Sequence, residues 1–409
     1  MTTPDLAERD QVVLSVVPDG SSEGRPIKTW TRYSFNSNFL TPTDGWEFEI
    51  GGKTIDKSLF EVLVPGVKIQ LSVNGHVQAT GRVDDLEVSA DRSQGTVLRV
   101  TGRDMMGQVV DGNADPKLQF TRDMTLTQIL VKVLVDQFGF GGVLQNPAAD
   151  RDVKTGQQRG DKRTKKGKPI KSLQAHQVRP YANESAFAFL ARIVTRFGLW
   201  LWTTADGASV IVDIPDFEQQ PLYTLRRRTD DQAIHNNVLS GGVRLSMADQ
   251  PTHIVCDGFG GGGEFGHSRL RCFISNPVFS ANNGPILDAY PDIVHIETDF
   301  TITSPPPIDI PHARCIYLHD EESRTADELE NFARRQLALR MHRSLVAHYE
   351  VAGHTQNGVP WEVDTIVNVQ DDLGGLHEPM WVLSRTFTKD RHAGTRTHLD
   401  LVRKGSLEF

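Results

Sequence analysis

The sequence predicts an α+β fold that is rich in β-structure, and three observations lead to this prediction. Short runs of β-branched and aromatic residues recur from Val12 to about Asp104, separated by Gly, Pro, Asn and Asp. Amphipathic helical patterns are few, and they lie in the middle and the last third of the chain. The end of the chain returns to the two-residue period of strands, most cleanly from Thr395 to Leu401. We therefore expect β-rich regions at both ends and an α+β module between them.

Composition bounds the class of protein. A chain of 409 residues houses about two to four domains. The formal net charge of −8 disfavours a general nucleic-acid binder, because such proteins gain affinity from Lys and Arg that replace counterions. Cys256, Cys272 and Cys315 are widely spaced, which indicates reduced thiols and neither a disulfide framework nor a zinc knuckle. The N-terminus lacks the basic and apolar regions of a signal peptide, and no run is as long as a membrane span.

The first β-rich region consists of short runs joined by turns. Asn74-Gly75 separates two of these runs and is a strong hairpin signal, because both central positions of such a turn need positive φ. Closely spaced strands with few helices predict a small barrel or sandwich. The predicted strands are Val12–Val17, Lys28–Phe35, Gly45–Ile50, Val67–Val73, Val77–Val88 and Thr96–Thr101.

Two helices and a hairpin are predicted in the middle of the chain. Thr125 and Gln128 have the spacing of a capping box, and Gly139 ends the helix that they begin. The second helix is expected from Asn183 to Phe197, with an apolar stripe made of Phe187, Leu190, Ala191 and Val194. The hairpin follows as Leu199–Thr203 and Ser209–Ile214, closed by Ala205-Asp206-Gly207. The large residues of Leu199-Trp200-Leu201-Trp202 need cover on both faces of their strand, from the chain's own helices or from a second copy.

A basic tract separates the two helices, from Arg151 to Lys171. One interpretation is a solvated surface loop with weak order and no essential chemistry, because like charges repel and no aromatic residues are interleaved to stack bases. The other is a loop that grips phosphate or an acidic partner. The candidate partner-binding residues are Arg159, Lys162, Arg163, Lys165, Lys166 and Lys168.

An inserted lobe is predicted over residues 253–319, after a strand at Asn236–Leu245. A further strand at His253–Asp257 leads into a glycine-rich stretch that satisfies G-x-G-x-x-G with Gly258, Gly260 and Gly263. A dinucleotide site would need a helix directly afterwards, and the following residues have no apolar stripe, which favours a loop. The stretch from Pro277 to Pro311 is too rich in proline for regular helix or central strand.

The C-terminal region predicts one helix that leans on a small antiparallel sheet. Thr325 and Glu328 have capping-box spacing. The helix stripe is Leu329, Phe332, Ala333, Leu337 and Met341. Strands follow around Leu345–Val351, Ile366–Val369, Trp381–Phe387 and Thr395–Leu401, with Gly394 as the turn before the last.

Sequence motifs of common catalytic centres are absent. The chain contains no H-E-x-x-H, G-x-S-x-G or phosphate-loop motif. His342, His348 and His354 are six residues apart, a spacing that does not place three imidazoles on one helix face. We therefore predict no catalytic, cofactor-binding or metal-binding residues and no enzyme. A carboxylate pair of the glycosidase kind is defined by distance in space, so an enzyme that degrades cell walls is the alternative.

Four segments occur in an order that carries a family resemblance. They are TVLRVTGRD near residue 100, the capped helix that ends in FG at Gly139, ESAFAFLARIVTRFGL from Glu184, and the helix from Thr325 followed by GTRTHLDL. In this order the chain resembles the baseplate hub proteins of contractile-tailed phages, of the Mu-like and late control D type. The resemblance implies a tube-type β-barrel at 1–112, an α+β domain at 113–220 with a basic insertion at about 147–175, a second tube-type barrel at 221–252 plus 320–409, and the lobe at 253–319.

The resemblance also implies a function. It indicates a homotrimeric structural hub in the baseplate of the virion tail, assembled in the host cytoplasm, which connects the hexameric tail tube to the trimeric central spike. Its expected partners are the spike, tail tube or tube-initiator proteins and baseplate wedge proteins, with DNA passing through an axial channel without specific binding. The two barrels are expected to share one fold, so that three chains present six similar units. A tailocin hub and the hub segment of a type VI secretion-like spike are related alternatives.

Overall fold

The computed structural model describes residues 10–17, 24–52, 58–91, 95–118, 120, 124–145, 179–195, 198–230, 233, 235–246, 250–258, 270–276, 294–297, 314–321, 323, 326–390 and 393–407. Strands dominate these ranges, as the sequence predicts. They are β1 (Val12–Val17), β2 (Arg25–Ile27), β3 (Arg32–Asn38), β4 (Gly45–Gly52), β5 (Lys68–Val73), β6 (His76–Asp91), β7 (Gly95–Asp104), β8 (Gly142–Gln145), β9 (Trp200–Thr203), β10 (Ser209–Asp213), β11 (Tyr223–Arg227), β12 (Val238–Leu245), β13 (His253–Gly258), β14 (Leu270–Ser275), β15 (Val294–Glu297), β16 (Cys315–Asp320), β17 (Leu345–Ala352), β18 (Thr355–Gln356), β19 (Val359–Pro360), β20 (Ile366–Asp371), β21 (Pro379–Asp390) and β22 (Gly394–Arg403).

The helices are short except for one near the C-terminus. They are α1 (Ser58–Val62), α2 (Gly107–Asp111), α3 (Leu126–Leu130), α4 (Ala186–Val194) and α5 (Ala326–Met341). The predicted capping box is present, since Thr125 accepts from the Gln128 amide and Gln128 accepts from the Thr125 amide. Beyond α3 the chain continues as a π-helical segment, Val131–Gln137, and Gly139 has the positive φ of a helix end. A 3₁₀ turn, His342–Ser344, follows α5, and the capping residue predicted at Thr325 lies outside the described residues.

Two groups of six strands in the largest sheet repeat one strand order. The first unit runs β3-β4-β7-β6-β5-β1, and the second unit runs β12-β17-β22-β21-β20-β11. With the strands of each unit numbered along the chain, both orders read 2-3-6-5-4-1. Neighbours are antiparallel in both units, except that β11 is parallel to β20 whereas β1 is antiparallel to β5. The expectation that the two ends share a fold therefore agrees with the strand order apart from the sense of one strand.

A β-bulge falls at the same place in both units. The register between β6 and β7 shifts between Val83 and Asp85, and that between β21 and β22 shifts between Val382 and Ser384. In each unit this is a bulge of the fifth strand opposite the sixth. The two bulges place Gly102 of the first unit and Leu401 of the second in equivalent positions.

The two units are joined into one sheet. Strand β3 of the first unit pairs along its free edge with β21 of the second unit. One apolar core lies under both units, from Leu14 and Phe48 on one side to Tyr349 and Leu401 on the other. Strand pairing among the described residues closes neither unit into a barrel, so the two-barrel detail and the domain boundaries given above stay predictions.

The middle module has its own core. The sheet β8-β10-β9 packs with α3 and α4 around residues such as Leu130 and Val210. Helix α4 begins at its cap Ser185, and it is shorter than the predicted Asn183–Phe197. Its buried face is Ala186, Phe189, Leu190, Ile193 and Val194. The predicted stripe was therefore rotated: Phe187 and Ala191 are only partly buried, and Phe189 and Ile193 were missed.

The lobe contains a second small sheet, ordered β15-β14-β13-β16. The stripe of α5 is confirmed, but its Leu329, Ala333 and Leu337 pack on Cys256 and Ile274 of this sheet. The predicted stripe therefore faces the inserted strands and not the C-terminal strands. The C-terminal strands contact the helix through Leu339, which packs with Trp381 and Val402. Part of the glycine-rich stretch (259–269) and most of the proline-rich stretch lie outside the described residues, and a strand, β14, begins where a dinucleotide site would need its helix.

Candidate interaction surface: the seam between the two units

The residues that the sequence singled out as candidates do not form a common site within the described part of the chain. The basic tract, with Arg159, Lys162, Arg163, Lys165, Lys166 and Lys168, lies outside the described residues. The three histidines spaced by six are separated: His342 lies in the 3₁₀ turn, His348 is exposed and contacts Asp400, and His354 is buried. Among the described residues no three or more His, Cys, Asp or Glu side chains form a group suited to a metal ion.

The joint between the two units, which we call the seam, is an antiparallel pairing of β3 and β21. It pairs Tyr33 with Lys389 at one end and Asn38 with Ser384 at the other. On the inner face the rings of Phe35 and Phe387 meet at 6.0 Å between centroids, and both are buried. On the outer face Asn36 Nδ2 donates to Thr386 Oγ1 over 3.2 Å. The seam thus combines a ladder of backbone bonds, an aromatic contact inside and a polar contact outside.

Arg385 lies buried at the seam and links the units from inside. Its guanidinium donates to Gln78 Oε1 of the first unit over 2.6 Å and to the carbonyl of Trp361 in the second unit. It also lies over the Phe387 ring, 4.7 Å from the centroid. Burial lowers the pKa of Arg385, and the negative charge of Asp44 acts in the opposite direction. Removing these partners would leave a buried charge without compensation, which costs free energy. Arg385 therefore favours this arrangement of the two units over others.

Tyr33, His354 and Thr397 form a buried chain of hydrogen bonds across the seam. Thr397 Oγ1 donates to the Gly353 carbonyl over 2.6 Å, so its oxygen accepts from His354 Nδ1 at 3.1 Å. His354 Nε2 then accepts from the Tyr33 hydroxyl at 2.7 Å. Burial lowers the pKa of His354 to about 4, which agrees with a neutral ring carrying its hydrogen on Nδ1.

The motif Gly102-Arg103-Asp104 forms the exit from the first unit. Arg103 forms ion pairs with Asp84 at 2.7 Å and with Asp111 at 2.5 Å. Asp104 accepts from the backbone of Asp44 and Met106, and from Thr203 of the middle module. Burial, together with the charge of Asp44, raises the pKa of Asp104 to about 7. The motif therefore fixes β4, α2 and β9 to one another, which explains its residues without any catalytic role.

The apolar stretch Leu199–Trp202 is mostly covered within the chain, with Leu199 buried and the other three residues partly buried. Phe39 lies 5.4 Å from the Trp200 ring and 5.2 Å from the Trp202 ring, centroid to centroid. Leu199 and Leu201 belong to the core of the middle module. This stretch consequently gives no support to a second copy, although the sequence left that possibility open.

Several strand edges have no partner strand in the described structure, and two of them belong to the strands equivalent to β3 and β21. Strand β12, the second strand of the second unit, has β17 as its partner along one side. The outer half of β6, from Asp84 to Asp91, pairs with β7 along one side, because β5 ends opposite Arg82. Both edges carry exposed apolar side chains: Leu245 on β12 is 74% exposed and Val88 on β6 is 52% exposed. Such edges are prone to pair with further strands.

No described helix combines the length and the apolar character needed to cross a membrane.

Comparison with known proteins finds a family match for most of the first unit. Residues 21–104 match the family model of the Mu phage baseplate assembly protein GpP-like, N-terminal. No sequence in the curated collection of proteins matches this chain.

Solved structures extend the likeness to the whole chain. A tail protein from Neisseria meningitidis MC58 is 20% identical, with a TM-score of 0.66 and 97% of each chain covered. The 43 kDa tail protein of prophage MuSo2 from Shewanella oneidensis is 21% identical, with a TM-score of 0.66, over 97% of this chain and 99% of that one. A type VI secretion component from E. coli, described as structurally similar to phage T4 tail proteins gp27 and gp5, is 10% identical with a TM-score of 0.50, over 95% and 76%.

These likenesses confirm the resemblance to phage baseplate hub proteins that the order of sequence motifs predicted. Within the first unit, residues 21–104 are similar to the Mu phage baseplate assembly protein GpP-like family, and the chain shares its fold with the two tail proteins.

Proposed function

We propose that this chain is the structural hub of a contractile-tail baseplate in the virion, where three copies form a ring between the hexameric tail tube and the trimeric central spike. The observation that carries the proposal is the repeated strand order of the two units. Three chains with two similar units each present six similar surfaces, while the whole chains repeat three times. Such a ring matches a six-fold tube on one side and a three-fold spike on the other.

The comparisons support a structural role of this kind. The first unit matches a baseplate assembly family, and the likeness to tail proteins spans nearly the whole chain. Arg385 and the Tyr33–His354 pair form hydrogen bonds between the two units, which suits a rigid joint. We propose no catalytic centre, no cofactor and no metal, and the working parts are binding surfaces.

The partners follow from the position of such a ring. We propose the spike, tail tube or tube-initiator proteins and baseplate wedge proteins as partners, with assembly in the host cytoplasm. The axial channel would pass DNA without specific binding, in keeping with the net charge of −8, since an acidic surface does not hold phosphates. The residues of the basic tract, including Lys162 and Arg163, are proposed to be dispensable for the fold and remain candidates for contact with an acidic partner.

A hub of a type VI spike is the second candidate, favoured by the likeness to the E. coli component. The fold similarity to the two tail proteins is higher, and the first unit matches a phage family, so we prefer the tail hub. The cell-wall-degrading enzyme has no feature of the described residues in its favour.

Mass and position test the proposal. Light scattering of the purified chain is expected to give three times the chain mass of 45.5 kDa, alone or after addition of the spike protein. Electron microscopy of intact particles labelled on this chain is expected to place the label on the tail axis, between tube and spike. A peripheral label, or one copy per particle, would contradict the hub. A zymogram that shows digestion of cell walls by the purified chain would favour the enzyme.

A further inference from the structure

The seam inside the chain implies a second seam that the chain cannot complete alone. The internal seam joins the second strand of the first unit, β3, to the fifth strand of the second unit, β21. Exchanging the roles of the two units gives the equivalent pair: the second strand of the second unit, β12, and the fifth strand of the first unit, β6. Each of these two strands has an edge without a partner strand among the described residues, β12 along its length and β6 along its outer half.

One copy cannot bring these two edges together. In the sheet order, β12 lies at one end of the second unit, and β6 lies beyond the internal seam in the first unit. If the same kind of seam formed again at β12, it would join the second unit to a further unit and could not join it to the first unit of the same chain. The strand that meets β12 must therefore come from another copy of the chain.

The register of this second seam follows from the shared bulges. Aligning Leu401 with Gly102 makes Val88 equivalent to Phe387, because Val88 pairs with Leu98 as Phe387 pairs with Thr397. The same alignment makes Val243 of β12 equivalent to Phe35 of β3, by way of β4 and β17. Because Phe35 pairs with Phe387 across the internal seam, Val243 of one copy should pair with Val88 of the next.

We propose that β12 of one copy pairs antiparallel with the outer half of β6 of a second copy, in the register that sets Val243 opposite Val88, Arg244 opposite Glu87 and Leu245 opposite Leu86.

The chemistry of the paired positions fits this register. On the inner face, Val243 and Val88 would meet at the position that Phe35 and Phe387 occupy in the internal seam. The exposed Leu245 would be covered by Leu86. Arg244 and Glu87 fall where Asn36 and Thr386 hydrogen-bond on the outer face of the internal seam. Apolar residues thus meet apolar residues, and opposite charges face each other on the solvent side. A shift by one residue would put Val243 and Val88 on opposite faces and lose both matches.

The seam also predicts the type of assembly. One copy offers a β12 edge and a β6 edge, which are different surfaces, so contacts are head-to-tail and not two-fold symmetric. Such contacts close into a ring when the rotation per copy permits it and otherwise extend into a filament. Closure at three copies rests on the proposed function, whereas the strand pairing itself does not.

Paired cysteines test the register directly. Under oxidation, the variant Val88→Cys/Val243→Cys is expected to form covalent dimers and larger species. The matched control Val88→Cys/Arg244→Cys should not, because residue 244 points to the opposite face. The wild-type chain controls for the natural thiols. Cys256 and Cys272 are buried, and burial raises the pKa of each to about 12, so they react little.

A charge exchange tests the outer pair. Each reversal, Glu87→Arg or Arg244→Glu, is expected to weaken self-association roughly tenfold, and the double exchange Glu87→Arg/Arg244→Glu should restore it. Glu87 also lies 3.8 Å from Arg99 of its own chain, so Glu47→Arg is the matched control. Glu47 contacts the same Arg99 at 3.2 Å but lies on β4, away from both edges, and its reversal should leave association unchanged.

The outcomes separate this seam from the proposed hub. Cross-linking in the stated register, with covalent species that end at three copies, supports both. Cross-linking that continues beyond three copies supports the seam and contradicts the trimeric ring. A trimer without cross-links, or a double exchange that fails to restore association, overturns the seam and leaves the hub standing. A chain that stays monomeric and uncross-linked, alone and within assembled particles, overturns both.

Discussion

Asp364 is a largely buried carboxyl in a backbone conformation that suits asparagine. Its φ is 61°, a region in which Asn is favoured over most other residues. Its Oδ1 accepts from Trp381 Nε1 over 2.9 Å, and an amide oxygen can accept the same bond. Burial raises the pKa of Asp364 to about 6, and nearby Asp216 adds to the shift.

The pKa of Asp364 is higher in the folded protein than in the unfolded chain, and this sets how its contribution to stability changes with pH. The carboxyl favours the folded state while it is protonated, and this stability is lost as pH rises from about 4 through about 6. Asp364→Asn should therefore be more stable than the wild type at pH 8, on the order of 1 kcal/mol after allowance for partial exposure. The gain should shrink towards pH 4. Urea denaturation across this range measures it, and a difference independent of pH would contradict the assignment.

The buried hydroxyl of Tyr33 gives a second prediction at this scale. Tyr33→Phe leaves His354 Nε2 without its hydrogen-bond donor in a buried site. We expect the free energy of unfolding to fall by about 1 to 3 kcal/mol, the usual cost of an unsatisfied buried group. Tyr317→Phe removes a hydroxyl from a residue that is 68% exposed and should change stability little. Equal effects of the two substitutions in chemical denaturation would contradict the role given to His354.

Local chemistry could be predicted from the sequence, and distant partners could not. Asn74 and Gly75 both have positive φ, as their turn requires, and Thr125 caps its helix. Arg385 could not be recognised as a joint between units, because its partner Gln78 is 307 positions away in the chain. Its signal in the sequence is only a charged residue inside an apolar strand.

At the scale of elements, the glycine of the Gly102-Arg103-Asp104 motif marks a close approach of strands. A Cβ at Gly102 would lie 2.3 Å from the Arg82 carbonyl and 2.7 Å from Trp46 Nε1. Gly102→Ala should therefore separate β6 from β7 or displace Trp46, at a cost of about 3 kcal/mol. Gly45→Ala on the adjacent strand is the matched control, since the nearest atom to its Cβ is 4.0 Å away. Thermal unfolding should rank the control near the wild type and Gly102→Ala well below both.

The sequence predicts which segments are strands better than it predicts how they pair. The predicted Val12–Val17 coincides with β1, and the predicted Asn236–Leu245 contains β12. Hydrophobic period gives the buried face of a strand but says nothing of its neighbour, so the pairing of β3 with β21 was not foreseen. Helix α5 shows the same limit: its apolar stripe was correct, and the sheet that it covers was not.

At the scale of the whole molecule, the duplication is visible in strand order and hidden in sequence. Equivalent positions hold Gly102 and Leu401, or Phe35 and Val243, whose side chains differ greatly in size. Strand order survives such change because apolar residues at alternate positions are enough to keep each strand's inner face. The order of sequence motifs could therefore indicate the family, while the repeat became visible only in the strand pairing.

The shared core predicts that the two units unfold together. One apolar cluster lies under both units, and Arg385 with Phe387 ties them across the seam. Opening either unit alone would expose this cluster and strip the partners from a buried cation. Hydrogen exchange of β7 in the first unit and β22 in the second should thus report one free energy of opening. Phe387→Ala should lower both values together, by about 3 to 5 kcal/mol, whereas Phe189→Ala in the separate core of the middle module should not lower either by as much. Two opening free energies that respond independently to Phe387→Ala would show that the seam joins two autonomous domains and not one cooperative unit.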